Sequence, residues 1–380
     1  MVSHAADLPR PGPTPSTVGM AQLPIPSPFA LSSSGRSHAA VEVRTPARVH
    51  LGMFSFGQAA MRGFGGIGVM LESPGVEVRM ERDTEFQGVG TLGERAVEFA
   101  RECAAAMRLD RHAACRIEVL SAPRSHVGLG SGTQLALAVA AGLHALHAPP
   151  DSPRGPIEIG KERRFCAEEA LALGRTVGRG RRSCVGIYGF GGGGLIVEAG
   201  RWLPAGPAAV GVSPLIAQVR LPEVWRGVLV IRRDAEGLYG NPEKEAFSRL
   251  PAVDPGVTAE LARLALLELL PAAMEGDFAR FSSALHAYGR LAGVPFESES
   301  GRLPFHEATG RLIDRLGEIG FRGAAQSSWG PAVLVCCQSD ADAQTLVGRL
   351  TSEGFDRDHD LVIARFESRG ARLRFTAAVR

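Results

Sequence analysis

The sequence lacks the features of a membrane, secreted or nucleic-acid-binding protein. No stretch stays apolar for about 18 residues, so we expect no membrane span. Residues 1–40 lack a basic segment followed by a long apolar run, so we expect no secretory signal there. The 42 basic and 40 acidic residues leave a net charge of +2, which favours neither nucleic acid nor an anionic membrane as a partner. Any anion-binding site must therefore be local.

Cysteine is scarce and scattered. None of the six cysteines forms a C-x-x-C pair, which argues against a zinc site. Their scatter is typical of reduced thiols, so we expect a cytoplasmic protein. The 380 residues, 45% of them hydrophobic, suffice for two domains with a large buried core.

The pattern along the chain predicts an α+β protein of two domains. Residues 1–40, rich in Pro, Ser, Ala and Gly, are either a disordered tail or the result of a start codon placed too early. A Pro-, Ala- and Gly-rich stretch, 202–214, separates an N-terminal domain, 41–205, from a C-terminal domain, 206–380. Alternating or apolar runs predict strands within 41–53, 64–71, 76–82, 115–120, 194–200, 226–233, 332–337 and 372–379. Helical spacing predicts helices over 94–108, 161–178, 257–292 and 306–319, the third interrupted near Pro271, and Ser73-Pro74-Gly75 predicts a turn between two strands.

The stretch "SHVGLGSGTQ", residues 125–134, reads as a loop that enters a helix. Unpaired N–H groups at a helix N-terminus favour an anion, and glycine lets the backbone approach phosphate closely. Ser131 either caps the helix or offers its hydroxyl to phosphate or to Mg²⁺. No lysine follows, so this is not a Walker A loop, and the glycine spacing is not that of a dinucleotide site. A tight turn with a serine cap is the alternative interpretation.

Three motifs together resemble the signatures of the GHMP kinase superfamily. "TPARVHLGM" (45–53) is similar to the first signature, "PRSHVGLGSGTQ" (123–134) to the second and "GAAQSSWGPAVLVC" (323–336) to the third. The resemblance implies a GHMP kinase-like fold, with an N-terminal domain like domain 2 of ribosomal protein S5, a ferredoxin-like C-terminal domain and the ligand between them. Many of these kinases carry an S-G-x-D segment whose Asp lies near the transferred phosphoryl group. In the matching stretch "SCVGIYGFGGGG" (183–194) Gly186 stands in place of that Asp, and Gly132 replaces the second serine of G-L-G-S-S.

One branch of the superfamily shares these departures, the β-ribofuranosylaminobenzene 5′-phosphate synthase family. The similar pieces are R-x-H-L-G (48–52), "MRGFGGIGVML" (61–71), "GLGSGTQ" (128–134), "GIYGFGGGGLIVEAG" (186–200) and "QSSWGP" (326–331). The resemblance implies condensation of phosphoribosyl pyrophosphate with 4-aminobenzoate, with loss of CO₂ and pyrophosphate, as the first committed step of tetrahydromethanopterin biosynthesis. It implies Mg²⁺ as cofactor, and 4-hydroxybenzoate remains an alternative acceptor. We expect small-molecule substrates as partners, no nucleic acid, no membrane, and a homodimer.

The resemblance also implies roles for particular residues. The predicted pyrophosphate-binding residues are Gly128, Leu129, Gly130, Ser131, Gly132 and Thr133. The predicted substrate-binding residues are Arg48, Arg62, Ser327, Ser328 and Trp329, and the predicted catalytic residues are Arg62, His50 and Ser131. Arg48, His50 and Arg62 form a positive set near the first motif that could hold a carboxylate or a phosphate. The cluster of Arg175, Arg179, Arg181 and Arg182 either holds the 5′-phosphate or is a solvated basic loop, and the sequence identifies no metal ligands.

Two other functions stay open at this point. The chain could be a GHMP small-molecule kinase that uses ATP, although Gly186 counts against it. It could also be a catalytically silent paralogue that binds the ligand or pairs with an active subunit. Members of the synthase family often carry an acid three residues after the glycine of H-L-G, and this chain has Ser55 there.

Overall fold

A computed structural model describes residues 39–58, 62–109, 113–147, 159–202, 211–235, 237, 245, 247–297, 306–327 and 330–377. The predicted tail therefore lies outside the described residues, apart from its last two positions. Among the residues described, no helix is both long and apolar enough to cross a membrane.

A sheet of eight strands forms the larger part of the fold. Its strands follow the order β4-β5-β3-β1-β14-β6, and β7 and β9 extend it beside β3. The strands are β1 (Ala39–Met53), β3 (Gly66–Arg82), β4 (Gln87–Val89), β5 (Cys115–Ser121), β6 (Glu162–Arg164), β7 (Leu195–Glu198), β9 (Leu215–Val219) and β14 (Arg372–Ala377). Two short strands, β2 (Arg62–Gly63) and β8 (Arg201–Trp202), pair separately.

The two longest strands, β1 and β3, pair on both sides of a bulge. Thr45 faces Val76 and Ala47 faces Leu71, so residues 72–75 of β3 lie opposite Pro46 alone. The turn predicted at Ser73-Pro74-Gly75 is therefore wrong. The four residues bulge without ending the strand, because β1 offers continuous pairing on both sides of Pro46.

Four helices accompany this sheet: α1 (Gly93–Ala106), α2 (Ser131–His147), α3 (Ala167–Thr176) and α4 (Val185–Gly192). Nearly every residue of α2 is buried, because the helix lies in the first hydrophobic core. The helix predicted over 161–178 is wrong at its start, where β6 pairs with β14. The helix begins only at Ala167, where the Glu169 carboxylate accepts a hydrogen bond from Cys166 N and completes a capping box.

A second, antiparallel sheet has the strand order β11-β12-β10-β13. Its strands are β10 (Arg226–Arg232), β11 (Ala324–Gln326), β12 (Ala332–Cys337) and β13 (His359–Arg365). The predicted long helix is divided into α5 (Pro255–Arg263), a π-helical segment (Leu264–Leu269), α6 (Leu270–Glu275) and α7 (Phe278–Glu297). Pro271 follows the π-helical segment inside a helical run that continues from Pro255 to Glu275, and the break comes at the left-handed Gly276. Helices α8 (His306–Glu318) and α9 (Asp340–Ser352) follow, and the predicted α+β class is confirmed.

The two predicted domains share one sheet. Strands β9 and β14 belong to the predicted C-terminal half, yet both lie in the eight-stranded sheet. The predicted boundary between residues 205 and 206 lies outside the described residues, so the domain limits stay a prediction.

Candidate active site

The three sequence motifs meet at one place in the fold. Arg48 N on β1 donates a hydrogen bond to Leu129 O at 2.9 Å. Ser327 Oγ donates to Gly128 O at 2.6 Å, and Ala332 N donates to Val127 O at 3.2 Å. The loop 127–130 is therefore held between β1 and the loop before β12, and these contacts join segments that are distant in the sequence.

Two glycines allow this close approach. Gly128 has a φ of +95°, and a Cβ added there would lie 3.0 Å from both Cβ and Oγ of Ser327. A Cβ on Gly330 would lie 2.3 Å from the Cα of Gly128, closer than atoms can approach. The two backbones are thus in direct contact, and only glycine fits at either position.

The loop leads directly into α2. Gly130 O accepts hydrogen bonds from Thr133 N and Gln134 N, so Gly130 takes the N-cap position and the suggested cap by Ser131 is wrong. The N–H groups of Ser131 and Gly132 precede the first hydrogen bond of the helix. Among the described residues, no atom beyond the neighbouring helix backbone lies within 4 Å of the place that a Cβ on Gly132 would take. The helix therefore presents the N–H groups of its first turn beside the open position at Gly132, with the buried Ser131 next to it.

The first turn of α4 packs against the same loop. A Cβ on Gly186 would lie 3.3 Å from Thr133 Cγ2 and 3.8 Å from Arg48 Nε. The Gly186 carbonyl accepts a hydrogen bond of 2.9 Å from Nε2 of Gln134, a fully buried side chain. The position of the kinase Asp thus lies beside the loop and the arginine, and it carries no side chain. The sequence reasoning missed Gln134, and its place in G-L-G-S-G-T-Q is the signal that could have found it.

His50 is buried and uncharged. Its side chain is 2% exposed. Burial, with Arg48 and Arg182 nearby, lowers its pKa from the usual 6.5 to about 3. The prediction that His50 belongs to a positive set is therefore wrong at neutral pH, and the positive charge beside β1 comes from the two arginines.

Arg62 and Ser55 lie together just beyond the C-terminal end of β1. Arg62 is exposed on β2, and its Nη1 donates to Gly200 O at 2.9 Å. Ser55 is 2% exposed, and its Oγ donates to Arg62 O at 2.7 Å. The serine that stands in place of an acid thus connects the two sides of the segment 55–62. Within the described chain, no hydrogen bond joins Arg62 to the loop 128–133.

The remaining predicted residues lie at different places in the fold. Arg182 lies near His50, with its guanidinium carbon 5.5 Å from the centre of the Phe247 ring. Arg179 instead packs over Phe99 of α1 at 4.9 Å, and burial lowers the pKa of its guanidinium. Ser327 lies at the site, whereas Ser328 and Trp329 lie outside the described residues. Arg179 and Arg182, two members of the arginine cluster, therefore pack against different aromatic rings.

Solved structures show which known fold the chain adopts. The chain is similar to the mevalonate pyrophosphate decarboxylase of Streptococcus pyogenes, with a TM-score of 0.61, 12% identity and coverage of 88% of this chain and 98% of that one. It is also similar to the homoserine kinase of Cytophaga hutchinsonii, with a TM-score of 0.58, 14% identity and coverage of 91% and 100%. The fold is that of the GHMP kinase superfamily.

Curated relatives narrow the class to one family. No family model matches the chain. The β-ribofuranosylphenol 5′-phosphate synthase of Archaeoglobus fulgidus is 30% identical over 309 residues, which cover 79% of this chain and 89% of the relative. The protein of the same name from Methanothermobacter thermautotrophicus is 28% identical over 306 residues, 77% of this chain and 87% of the relative. The chain belongs to this synthase family and is an enzyme.

Proposed function

We propose that this enzyme condenses phosphoribosyl pyrophosphate with a para-substituted benzoate, releasing CO₂ and pyrophosphate. The reaction would be the first committed step of tetrahydromethanopterin biosynthesis. The sequence predicts 4-aminobenzoate as the acceptor, whereas the names of the relatives specify a phenol, the product that 4-hydroxybenzoate would give. The two acceptors differ only in the group opposite the carboxylate, so one contact decides between them.

The observation that carries the proposal is the open space at the start of α2. The Ser131 and Gly132 N–H groups belong to its border, and Arg48 is in contact with the loop; we propose that the Ser131 hydroxyl is a further donor there. These groups are suited to a pyrophosphate, because fixed donors and a guanidinium stabilise the negative charge that grows on a leaving group. Gly132 leaves room there that a side chain would take.

The proposed chemistry needs no base and no enzyme nucleophile. The bond between ribose C1 and the pyrophosphate oxygen breaks, and its electron pair leaves with pyrophosphate. The ring carbon that bears the carboxylate then forms a bond to C1. The bond from that carbon to CO₂ breaks last, and its electrons restore the aromatic ring. An uncharged His50 and the absence of a carboxylate at Gly186 both agree with a reaction in which no proton moves.

We propose that the enzyme uses Mg²⁺ that is bound to its substrate. The described residues hold no group of three His, Cys, Asp or Glu side chains that could bind a metal. The loop offers only neutral oxygens, among them the Ser131 and Thr133 hydroxyls, so these residues do not form a magnesium site of their own. Mg²⁺ usually keeps several waters and enters such sites on phosphate groups, so we propose that it arrives bound to phosphoribosyl pyrophosphate. Removing Mg²⁺ with a chelator should then abolish turnover.

The test is a paired assay of pyrophosphate and CO₂ release. Purified protein, Mg²⁺ and phosphoribosyl pyrophosphate are mixed with carboxyl-labelled 4-aminobenzoate or 4-hydroxybenzoate, and both products should appear in equal amounts. Ser131→Ala should lower kcat about 100- to 1,000-fold through loss of one donor to the leaving group. Ser352→Ala, a serine exposed at the end of α9, is the matched control and should match the parent.

Other outcomes would identify the alternatives. Binding of phosphoribosyl pyrophosphate without either product would indicate a silent paralogue. Consumption of ATP that depends on a small alcohol would indicate a kinase. Light scattering on the same preparation would test the proposed homodimer.

A further inference from the structure

A separate cavity of about 430 Å³ lies where the eight-stranded sheet bends. Its walls come from the bulge of β1 and β3, from β6, and from the connection between β13 and β14. None of the candidate active-site residues described above lines it. Its size lies within the range of small-molecule sites. We call it the arginine pocket, after the five arginines that line it: Arg44, Arg164, Arg365, Arg369 and Arg372.

Three of these arginines form a row across neighbouring strands. Arg44 of β1 lies directly opposite Arg372 of β14, and Arg372 lies directly opposite Arg164 of β6. Directly opposed residues project from the same face of a sheet, so the three guanidinium groups share one face. Like charges in such pairs are destabilising, and a fold gains nothing from this row unless an anion neutralises it.

The surrounding chain neutralises only part of this charge. Arg372 Nη1 lies 3.3 Å from a Glu162 oxygen, and Arg164 Nη1 donates to Gly370 O at 2.9 Å. Arg44, Arg365 and Arg369 form no ion pair within the described part of the chain. Three glutamates also line the pocket, so that with Glu162 four negative side chains stand against five positive ones. One of them, Glu367, accepts a hydrogen bond from the backbone of Arg369.

One buried hydroxyl beside the pocket lacks a hydrogen-bond partner among the described residues. Thr45 lines the pocket and is 2% exposed. Its Oγ1 is buried and has no hydrogen-bond partner in the described residues. A buried hydroxyl without a partner costs about 1–3 kcal/mol, so such groups are rare unless something binds to them.

We propose that the arginine pocket binds a small molecule that carries a phosphate group and free hydroxyl groups, of the chemical class of a sugar phosphate. Guanidinium groups bind phosphate oxygens in pairs, which suits the arginine row. Glu72 and Glu223, both exposed, can accept hydrogen bonds from the sugar hydroxyls. This site does not depend on the reaction proposed for the active site.

The test is calorimetric titration of the full chain with ribose 5-phosphate, with inorganic phosphate and ribose as separate arms. Ribose 5-phosphate should bind to the double variant Arg44→Gln/Arg369→Gln about 10- to 100-fold more weakly at this site, because two charged contacts are lost. Arg280→Gln, an exposed arginine of α7, is the matched control and should bind like the parent. Ser131→Ala should retain this binding, which separates the pocket from the active site.

Urea unfolding distinguishes a variant that has lost the ligand site from one that does not fold. Without ligand, Arg44→Gln should unfold at a urea concentration equal to or higher than the parent, because it removes a like-charge pair. With saturating ribose 5-phosphate the parent should become the more stable of the two. Unchanged binding in the double variant, or loss of all binding in Ser131→Ala, would overturn the proposal. Inorganic phosphate binding as tightly as ribose 5-phosphate would overturn the sugar phosphate as ligand. None of these readouts needs turnover, so they stand apart from the proposed reaction.

Discussion

Two glycines of the active-site loop should respond oppositely to the same substitution. Gly128 has a φ of +95° and abuts Ser327 and Gly330, whereas Gly132 lies in α2 and, within the part of the chain that the structure describes, no side chain lies near its missing Cβ. Alanine at Gly128 should therefore damage the fold. Alanine at Gly132 should leave the fold intact and occupy the space that we assign to pyrophosphate.

The magnitudes follow from the local geometry. A non-glycine residue in the left-handed region costs roughly 1–2 kcal/mol. The new Cβ at 3.0 Å from Ser327 requires that side chain to move, so we expect a loss of about 2–3 kcal/mol in the free energy of unfolding for Gly128→Ala. Replacing glycine by alanine within a helix instead gains up to about 0.5–1 kcal/mol, and less in the first turn. Gly132→Ala should therefore be neutral or slightly stabilising.

Urea unfolding measures the first effect, and titration with magnesium pyrophosphate measures the second. Gly132→Ala should bind pyrophosphate at least about tenfold more weakly than the parent, since one methyl group in the site blocks one donor. The control is Gly348→Ala, a glycine of α9 that also has no atom near its missing Cβ and should bind normally. Normal pyrophosphate binding by Gly132→Ala would refute the assignment of the open space. Equal destabilisation by the two loop variants would refute the geometry.

Three further predictions concern the same region. Because the pKa of His50 is about 3 in the folded chain and 6.5 in the unfolded one, its contribution to stability is fully present above pH 6.5 and falls toward pH 3. The free energy of unfolding should fall by up to about 1.4 kcal/mol per pH unit in this range. Urea unfolding at pH 7, 6 and 5 should therefore show a smaller fall for His50→Gln than for the parent, and an equal fall in both would contradict this. Gly186→Asp should place a carboxylate beside Arg48 and lower kcat/KM for phosphoribosyl pyrophosphate at least about tenfold without creating ATP-dependent activity; unchanged kinetics would place the pyrophosphate elsewhere. Tyr288→Phe removes the buried hydrogen bond of 3.1 Å to Gly52 O and should cost about 1–2 kcal/mol in urea, whereas no loss would show that this bond does not fasten α7 to β1.

The glycine-rich segment 186–194 shows why part of the site could not be predicted. A run of this composition is typical of a loop, because glycine is a poor helix former. The structure nevertheless forms α4 here, and a Cβ on Gly189 would lie 2.2 Å from Met70 Sδ. The glycines are therefore required by close packing, a tertiary constraint that local propensity does not contain. The meeting of the three motifs could be predicted only because each resembled a known signature.

The charge state of His50 was equally hidden. Its neighbours in the sequence, Arg48 and Leu51, suggest an ordinary strand with a polar face. The low pKa depends on complete burial and on Arg182, which lies far away in the chain. Burial and distant charges follow from the packing of whole elements, so no reading of one motif contains them.

The bulge at Pro46 explains how one strand can serve both the active site and the arginine pocket. Val41 and Val43 lie in the core formed with α1 and α2, whereas Val49 and Leu51 lie in the core formed with α7. All four positions are odd-numbered, so the alternation in the sequence looks continuous. The shift of register between Thr45 and Ala47 nevertheless turns the odd-numbered side chains after it to the other face of the sheet. Arg44 and Arg48 would project from the same face of a regular strand. Because of the exchange, Arg44 lines the arginine pocket while Arg48 contacts the loop of α2, and two anion sites can form four residues apart.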